Sequence, residues 1–189
     1  QLGFAFFVFQ SARAGDVALA ANQILLQFLH VSSYALDGFA FAAEALVGAA
    51  FGARRPGGLR RAARLTSLWG MGCVVTLAAA FLAAGPWVID AMTTAPLVRE
   101  QAREFLWWCA LAPVAGLPAF MLDGIFIGAT RTRDMRVAMI QSVVVYLAVW
   151  AALTPLIGAH GLWAALMVFF AARGVTLGLR YPALERAAV

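Results

Sequence analysis

Charge is scarce in this chain of 189 residues. Charged residues make up 12% of it and hydrophobic residues 63%, with a mean hydropathy of +0.85, whereas soluble domains carry about 25% charged residues. This composition excludes a soluble globular domain and indicates a membrane protein. Lysine is absent and every basic residue is arginine, which we attribute to genomic base composition.

Motifs for enzymatic chemistry are also lacking. The sequence has no clustered nucleophile, metal-ligand set, phosphate loop or cofactor motif, so a membrane enzyme is disfavoured and we expect no cofactor and no metal. Cys73 and Cys109 lack CxxC spacing and a neighbouring histidine, which favours simple apolar packing. The net charge of +5 does not indicate nucleic acid, because the arginines form no basic stripe with interleaved aromatics.

Long apolar runs are abundant. Because a helix needs about 20 apolar residues to cross the hydrocarbon core, the runs predict an all-α, polytopic transmembrane helix bundle with about five full spans and a partial first span. The chain opens inside an apolar run without a charged start, so we expect the natural protein to begin upstream of Gln1. The partial span is 1-11, and the full spans are 17-52, 62-84, 98-129, 135-157 and 162-179.

Arginine is concentrated in alternate turns. It is frequent in residues 53–64, in residues 131–136 and in the tail after residue 179, whereas the turns between them are balanced or uncharged. The positive-inside rule therefore places the arginine-rich turns in the cytoplasm.

Three carboxylates, Asp37, Glu44 and Asp123, lie inside apolar runs. An ionisable group in the membrane costs a few kcal/mol, so it normally faces a polar cavity, a partner or a substrate path. Asp37 and Glu44 are seven residues apart and share one helical face. Alternatively, Glu44 reaches water or Arg54, and Asp37 caps a bend at Gly38. Further candidates for lining a cavity on this span are Asn22, Gln23, Gln27 and Tyr34.

Asp123 and His30 each allow two interpretations. Asp123 either faces the cavity or forms a buried ion pair, with Arg173 as the partner, that holds the proline-containing fourth span. His30 either relays protons or packs as a neutral residue. Glycines four residues apart predict close contacts between helices. These pairs are Gly48/Gly52, Gly124/Gly128 and Gly174/Gly178.

Several blocks of the sequence resemble the multidrug and toxic compound extrusion (MATE) family, in particular its DinF branch. Those in the first full span resemble the eighth transmembrane helix of the family, and those further on resemble its later helices. The first group is Ala20-Ala21-Asn22-Gln23-Ile24, Leu36-Asp37-Gly38-Phe39-Ala40, Glu44-Ala45-Leu46-Val47-Gly48 and Gly52-Ala53-Arg54. The second group is Leu122-Asp123-Gly124-Ile125-Phe126-Ile127-Gly128-Ala129-Thr130-Arg131 and His160-Gly161-Leu162-Trp163.

The resemblance implies that residues 1-189 are the carboxy-terminal lobe of a twelve-helix exporter in the inner membrane. Residues 1-11 would be the remnant of helix seven, and the five full spans would be helices eight to twelve. Such an antiporter expels cationic or amphipathic compounds in exchange for protons or sodium. Its partners would be the lipid bilayer, the small-molecule substrate, the coupling ion and an amino-terminal lobe, which carries the acid linked to proton coupling in this branch.

Two other functions stay open. A lipid-linked precursor flippase of the same superfamily would need a basic cavity to hold pyrophosphate, and the intramembrane acids argue against it. A purely structural membrane subunit would fit if all three acids were paired.

Overall fold

The computed structural model of the chain describes residues 2–187, and this part is built from helices joined by short turns. Five of its segments are long and apolar enough to cross a membrane, which confirms the all-α, polytopic architecture. The helices are α1 (Leu2–Arg13), α2 (Asp16–Gly52), α3 (Pro56–Met92), α4 (Pro96–Gly128), α5 (Thr132–Ile157), α6 (Ala159–Gly178) and α7 (Tyr181–Arg186).

Helix α3 begins earlier than the sequence predicted. The predicted span started at residue 62, but the helix starts at Pro56. Proline fits the first helical turn because the amide hydrogen that it lacks would have no partner there. Arg60, Arg61 and Arg64 therefore lie on the first turns of α3, and only residues 53–55 join it to α2.

Helix α3 also continues past Gly85-Pro86, where the predicted span ended at residue 84. It ends at Met92, with Pro86 inside it. Packing against α4 explains why the proline is tolerated. A Cβ added to Gly85 would lie 2.7 Å from a methyl group of Leu106, so the two helices are in close contact one residue before the proline. Neighbouring helices commonly stabilise such interruptions in membrane bundles.

Helix α4 lies at the centre of the bundle and packs against α2, α3 and α6. Helix α5 is peripheral and packs mainly against α6. Its buried residues, Ala138, Ser142 and Tyr146, form one stripe with a spacing of four. The main hydrophobic core joins α1 to α6, with Tyr146 as the contribution of α5, and includes the fully buried Trp163.

The contact between α2 and α4 is made by backbone atoms. A Cβ added to Gly124 would lie 2.9 Å from the carbonyl carbon of Ala40, and one added to Gly128 would lie 3.1 Å from that of Glu44. The carbonyl oxygens of Ala40 and Glu44 would be closer still, so neither glycine has room for a side chain and the contact predicted for this pair is confirmed. The pairing of residue 40 with 124 and 44 with 128 also shows that the two helices run parallel.

We predict that Gly124→Ala destabilises the protein by about 1–3 kcal/mol, the usual cost of overpacking a tight interface. The matched control is Gly72→Ala in α3, where an added Cβ has no atom within 4 Å. Both changes replace a helical glycine by alanine, so helix propensity affects them alike. Thermal unfolding of the purified protein measures the difference, and equal midpoints for the two variants would contradict the role of the contact.

Cysteine labelling can test the predicted orientation of the arginine-rich turns in the membrane. Successive long helices alternate in direction, so the α2–α3, α4–α5 and α6–α7 turns share one end of the bundle. In a variant lacking Cys73 and Cys109, we expect a membrane-impermeant maleimide added outside the cell to label Thr94→Cys and not Gly57→Cys, because the arginine-rich end faces the cytoplasm. Strong outside labelling at position 57 would reverse the orientation.

Candidate functional site

One face of α2 carries polar and ionisable side chains that the other helices leave largely uncovered. Tyr34 is 73% exposed, and Asp37 and Glu44 are half-buried. The members of this face recur at intervals of three, four or seven residues, which places them on one side of the helix. We call this surface the α2 polar face: Gln23, Gln27, His30, Tyr34, Asp37 and Glu44.

The two acids of the α2 polar face have no cationic partner among residues 2–187. Neither Asp37 nor Glu44 is in a salt bridge, so the alternative pairing of Glu44 with Arg54 is not realised. Asp37 lies inside α2, which is continuous from Asp16 to Gly52, so the helix has no break at Gly38. The described part of the chain thus presents two unpaired carboxylates along one apolar helix.

Asn22 does not belong to this surface, and its assignment as a cavity-lining residue is wrong. Its side chain is buried, at 5% exposure. Its Nδ2 donates a hydrogen bond of 2.8 Å to Ser11 Oγ, and its Oδ1 accepts one of 3.2 Å from Trp163 Nε1. These two hydrogen bonds tie α1, α2 and α6 together. Asn22 points away from the α2 polar face because it lies one position, about 100° of helical rotation, from Gln23.

Asp123 forms the ion pair with Arg173 that the sequence had offered as one interpretation. Arg173 Nη2 lies 2.6 Å from Asp123 Oδ2, and the two side chains are only 20% and 16% exposed. The pair joins α4 to α6, and Asp37 is close enough to Asp123 for the two carboxylates to repel each other. Asp123 Oδ1 and Arg173 Nε have no hydrogen-bond partner among residues 2–187. The pair thus satisfies only part of the bonding capacity of its two groups.

Sequence reasoning missed a polar network at the opposite end of the bundle. Trp108 Nε1 donates a hydrogen bond of 3.1 Å to His160 Nδ1, and His160 Nε2 lies 3.2 Å from Glu104 Oε1. Because Nδ1 accepts, the proton of the neutral imidazole lies on Nε2 and is donated to the carboxylate. No local signal could have revealed this network, since the partners of His160 lie 52 and 56 residues away in the sequence.

We predict that Arg173→Leu destabilises the protein more than the double change Asp123→Leu with Arg173→Leu. Removing one partner leaves an uncompensated charge in an apolar site, whereas removing both leaves none. We expect the single change to cost about 2–3 kcal/mol, somewhat less than for fully buried pairs. Chemical unfolding of both variants in the same detergent gives the comparison. A double variant as unstable as the single one would show that the pair acts by packing alone.

Three comparisons with known proteins agree on the kind of protein that has this geometry. A family model described as MatE matches residues 1–153. DNA damage-inducible protein F of Escherichia coli strain K12 is 37% identical over 183 residues, which cover 94% of this chain and 38% of that protein.

A solved structure has the same fold. The crystal structure of the eukaryotic MATE transporter AtDTX14 superposes with a TM-score of 0.83 at 17% sequence identity, over 98% of this chain and 43% of that one. At this identity the likeness concerns the fold alone. The chain thus spans less than half the length of either relative.

Proposed function

Because the chain belongs to the MatE family, we propose that it is one lobe of a secondary active transporter, the carboxy-terminal one, which exports cationic or amphipathic compounds. Transport in such two-lobed proteins occurs as the lobes rock against each other around a central site. An amino-terminal lobe of the same transporter would supply the opposite wall. The membrane would be the inner membrane, which the chain crosses several times.

The α2 polar face is the observation that supports this proposal most strongly. Its six side chains lie on a membrane-spanning helix, yet helices α3 and α4 leave four of them exposed and the other two, Asp37 and Glu44, half-buried. Carboxylates exposed to lipid are costly, so this surface is suited to line a water-filled cavity between two lobes. There, Asp37 and Glu44 would attract a cation, and Tyr34 would supply an aromatic surface for cation–π contact.

We propose that export of the compound is driven by the entry of protons or sodium in exchange. Asp37 and Asp123 are the candidate coupling residues, since their carboxylates are close enough to repel each other and only Asp123 has an arginine partner. Binding of a cation or proton beside them would relieve their mutual repulsion. Gln23 and Gln27 would contribute hydrogen bonds to a polar substrate at the other end of the same face.

The alternatives have less support. A flippase for a lipid-linked pyrophosphate would need free cations on the cavity wall, but the α2 polar face contains acids and no arginine. A purely structural subunit would have all its acids paired, whereas Asp37 and Glu44 are in no salt bridge among the residues described.

We predict that Asp37→Asn lowers the initial rate of export of a cationic dye by about tenfold or more, because a charge pair at short range in a partly dehydrated site exceeds 1.4 kcal/mol. Asparagine keeps the size of the side chain and removes only the charge. The assay uses cells that express the complete transporter, with its abundance in the membrane measured in parallel.

The matched control is Glu100→Gln, an equally isosteric change at an exposed carboxylate in the first turns of α4, away from the α2 polar face. It should leave export unchanged. If Asp37→Asn exports the dye as fast as Glu100→Gln does, Asp37 is a structural residue and the α2 polar face loses its proposed role.

A further inference from the structure

A second concave surface lies on the other side of α4. Helices α3 and α6 both pack against α4 but leave a gap between them, and α7 closes one end of that gap. The resulting groove has a volume of about 880 Å³, within the range of roughly 300–1,000 Å³ typical of ligand sites. We call it the α3–α6 groove. Leu117 and Met121 of α4 form its floor.

The α3–α6 groove is separate from the proposed transport site. Met121 lies two residues before Asp123, which corresponds to roughly 200° of rotation around the helix. The floor of the groove and the Asp123–Arg173 pair therefore occupy opposite sides of α4. None of the six residues of the α2 polar face lines the groove.

Polarity changes in one direction along the wall that α3 contributes. Arg60 and Arg64 stand at the end of the bundle, Ser67 follows about one turn further in, and Leu68 and Met71 lie deeper. These residues share one face because each lies three or four positions from another of them. A charged mouth, a hydroxyl and then an apolar channel match the order of headgroup, ester region and acyl chain in a phospholipid.

The mouth of the groove has an excess of positive charge. Arg60 donates two hydrogen bonds to Glu185 of α7, from Nε to Oε1 at 2.8 Å and from Nη2 to Oε2 at 2.9 Å. That carboxylate is thereby neutralised. Arg64 is exposed and has no hydrogen bond or salt bridge to any residue between 2 and 187, so it is free to bind an anion.

We propose that the α3–α6 groove binds one anionic phospholipid from the surrounding leaflet. Its phosphate contacts Arg64 and Ser67, and one acyl chain follows Met71, Leu117 and Met121 into the membrane. Basic pockets between transmembrane helices are suited to anionic headgroups, and each arginine near the membrane surface contributes about 1 kcal/mol. The bilayer supplies this ligand at high local concentration, and the groove opens laterally to it.

Two variants test the two halves of the site in the complete protein. Arg64→Gln removes the charge at the mouth. Gly178→Leu fills the channel, since Gly178 lines the groove and an added Cβ there meets only Leu122, at 3.9 Å. The matched control is Arg133→Gln, an exposed arginine in the first turn of α5 at the same end of the bundle and outside the groove.

The measurement is native mass spectrometry of delipidated protein titrated with phosphatidylglycerol or, for comparison, phosphatidylcholine. We expect Arg64→Gln to weaken phosphatidylglycerol binding about fivefold and to leave phosphatidylcholine binding unchanged. Gly178→Leu should abolish the tightest adduct of both lipids, and Arg133→Gln should have no effect. Equal weakening by Arg64→Gln and Arg133→Gln would mean that only surface charge attracts the lipid. Unchanged binding in Gly178→Leu would show that the groove is not the site.

Discussion

The backbone contact between α2 and α4 determines where the intramembrane acids of this protein lie relative to one another. Gly124 and Gly128 let α4 approach the backbone of α2 at Ala40 and Glu44, and Asp123 is the residue immediately before the first of these glycines. Its carboxylate is consequently held beside α2, near Asp37. The same approach places α4 along one edge of the α2 polar face, at Glu44 and near Asp37, while Tyr34 stays exposed. The arrangement of the acids therefore depends on glycines that have no chemistry of their own.

The three intramembrane acids are stabilised in different ways. Asp123 is compensated by Arg173 at 2.6 Å, and a pair of this kind is tolerated in an apolar environment because the two charges offset each other's desolvation. Asp37 and Glu44 have no such partner among the residues described, and lipid cannot supply one. Their stability in the membrane requires water or another polar surface against α2. That requirement follows from the cost of the charges alone, and the proposed cavity shared with a second lobe would meet it.

Local sequence patterns predicted those features that depend on helical periodicity and hydropathy. The number of long spans, the common face of Asp37 and Glu44 and the glycine contacts of α4 are of this kind. Asn22 was misassigned because polarity alone does not distinguish a buried hydrogen-bonding residue from an exposed one, and its partners Ser11 and Trp163 lie on other helices. The ends of α3 were misplaced because Pro56 and Pro86 were interpreted as breaks.

Other features could not be predicted because they arise only from the packing of distant segments. The α3–α6 groove combines residues of α3, α4, α6 and α7, and the His160 network joins residues more than 50 positions apart. Neither has a spacing that a sequence pattern can detect. The Asp123–Arg173 pair also joins distant segments, but the sequence could predict it. A charge buried in lipid needs a partner, and Arg173 is the one arginine in the interior of the last predicted span.

Helix α4 separates two surfaces of opposite character, and this division limits how they can influence each other. On one side lie the acids near α2, and on the other lies an apolar groove with an arginine mouth that α3, α6 and α7 enclose. A ligand changes a conformational equilibrium only if it binds two states with different affinity. A lipid in the groove would therefore affect transport only if α3 and α6 separate or approach during the cycle. The Arg60–Glu185 pair links α3 to α7 across the mouth, so a change in width would be largest away from this pair, towards Leu117 and Met71, where the acyl chain would lie.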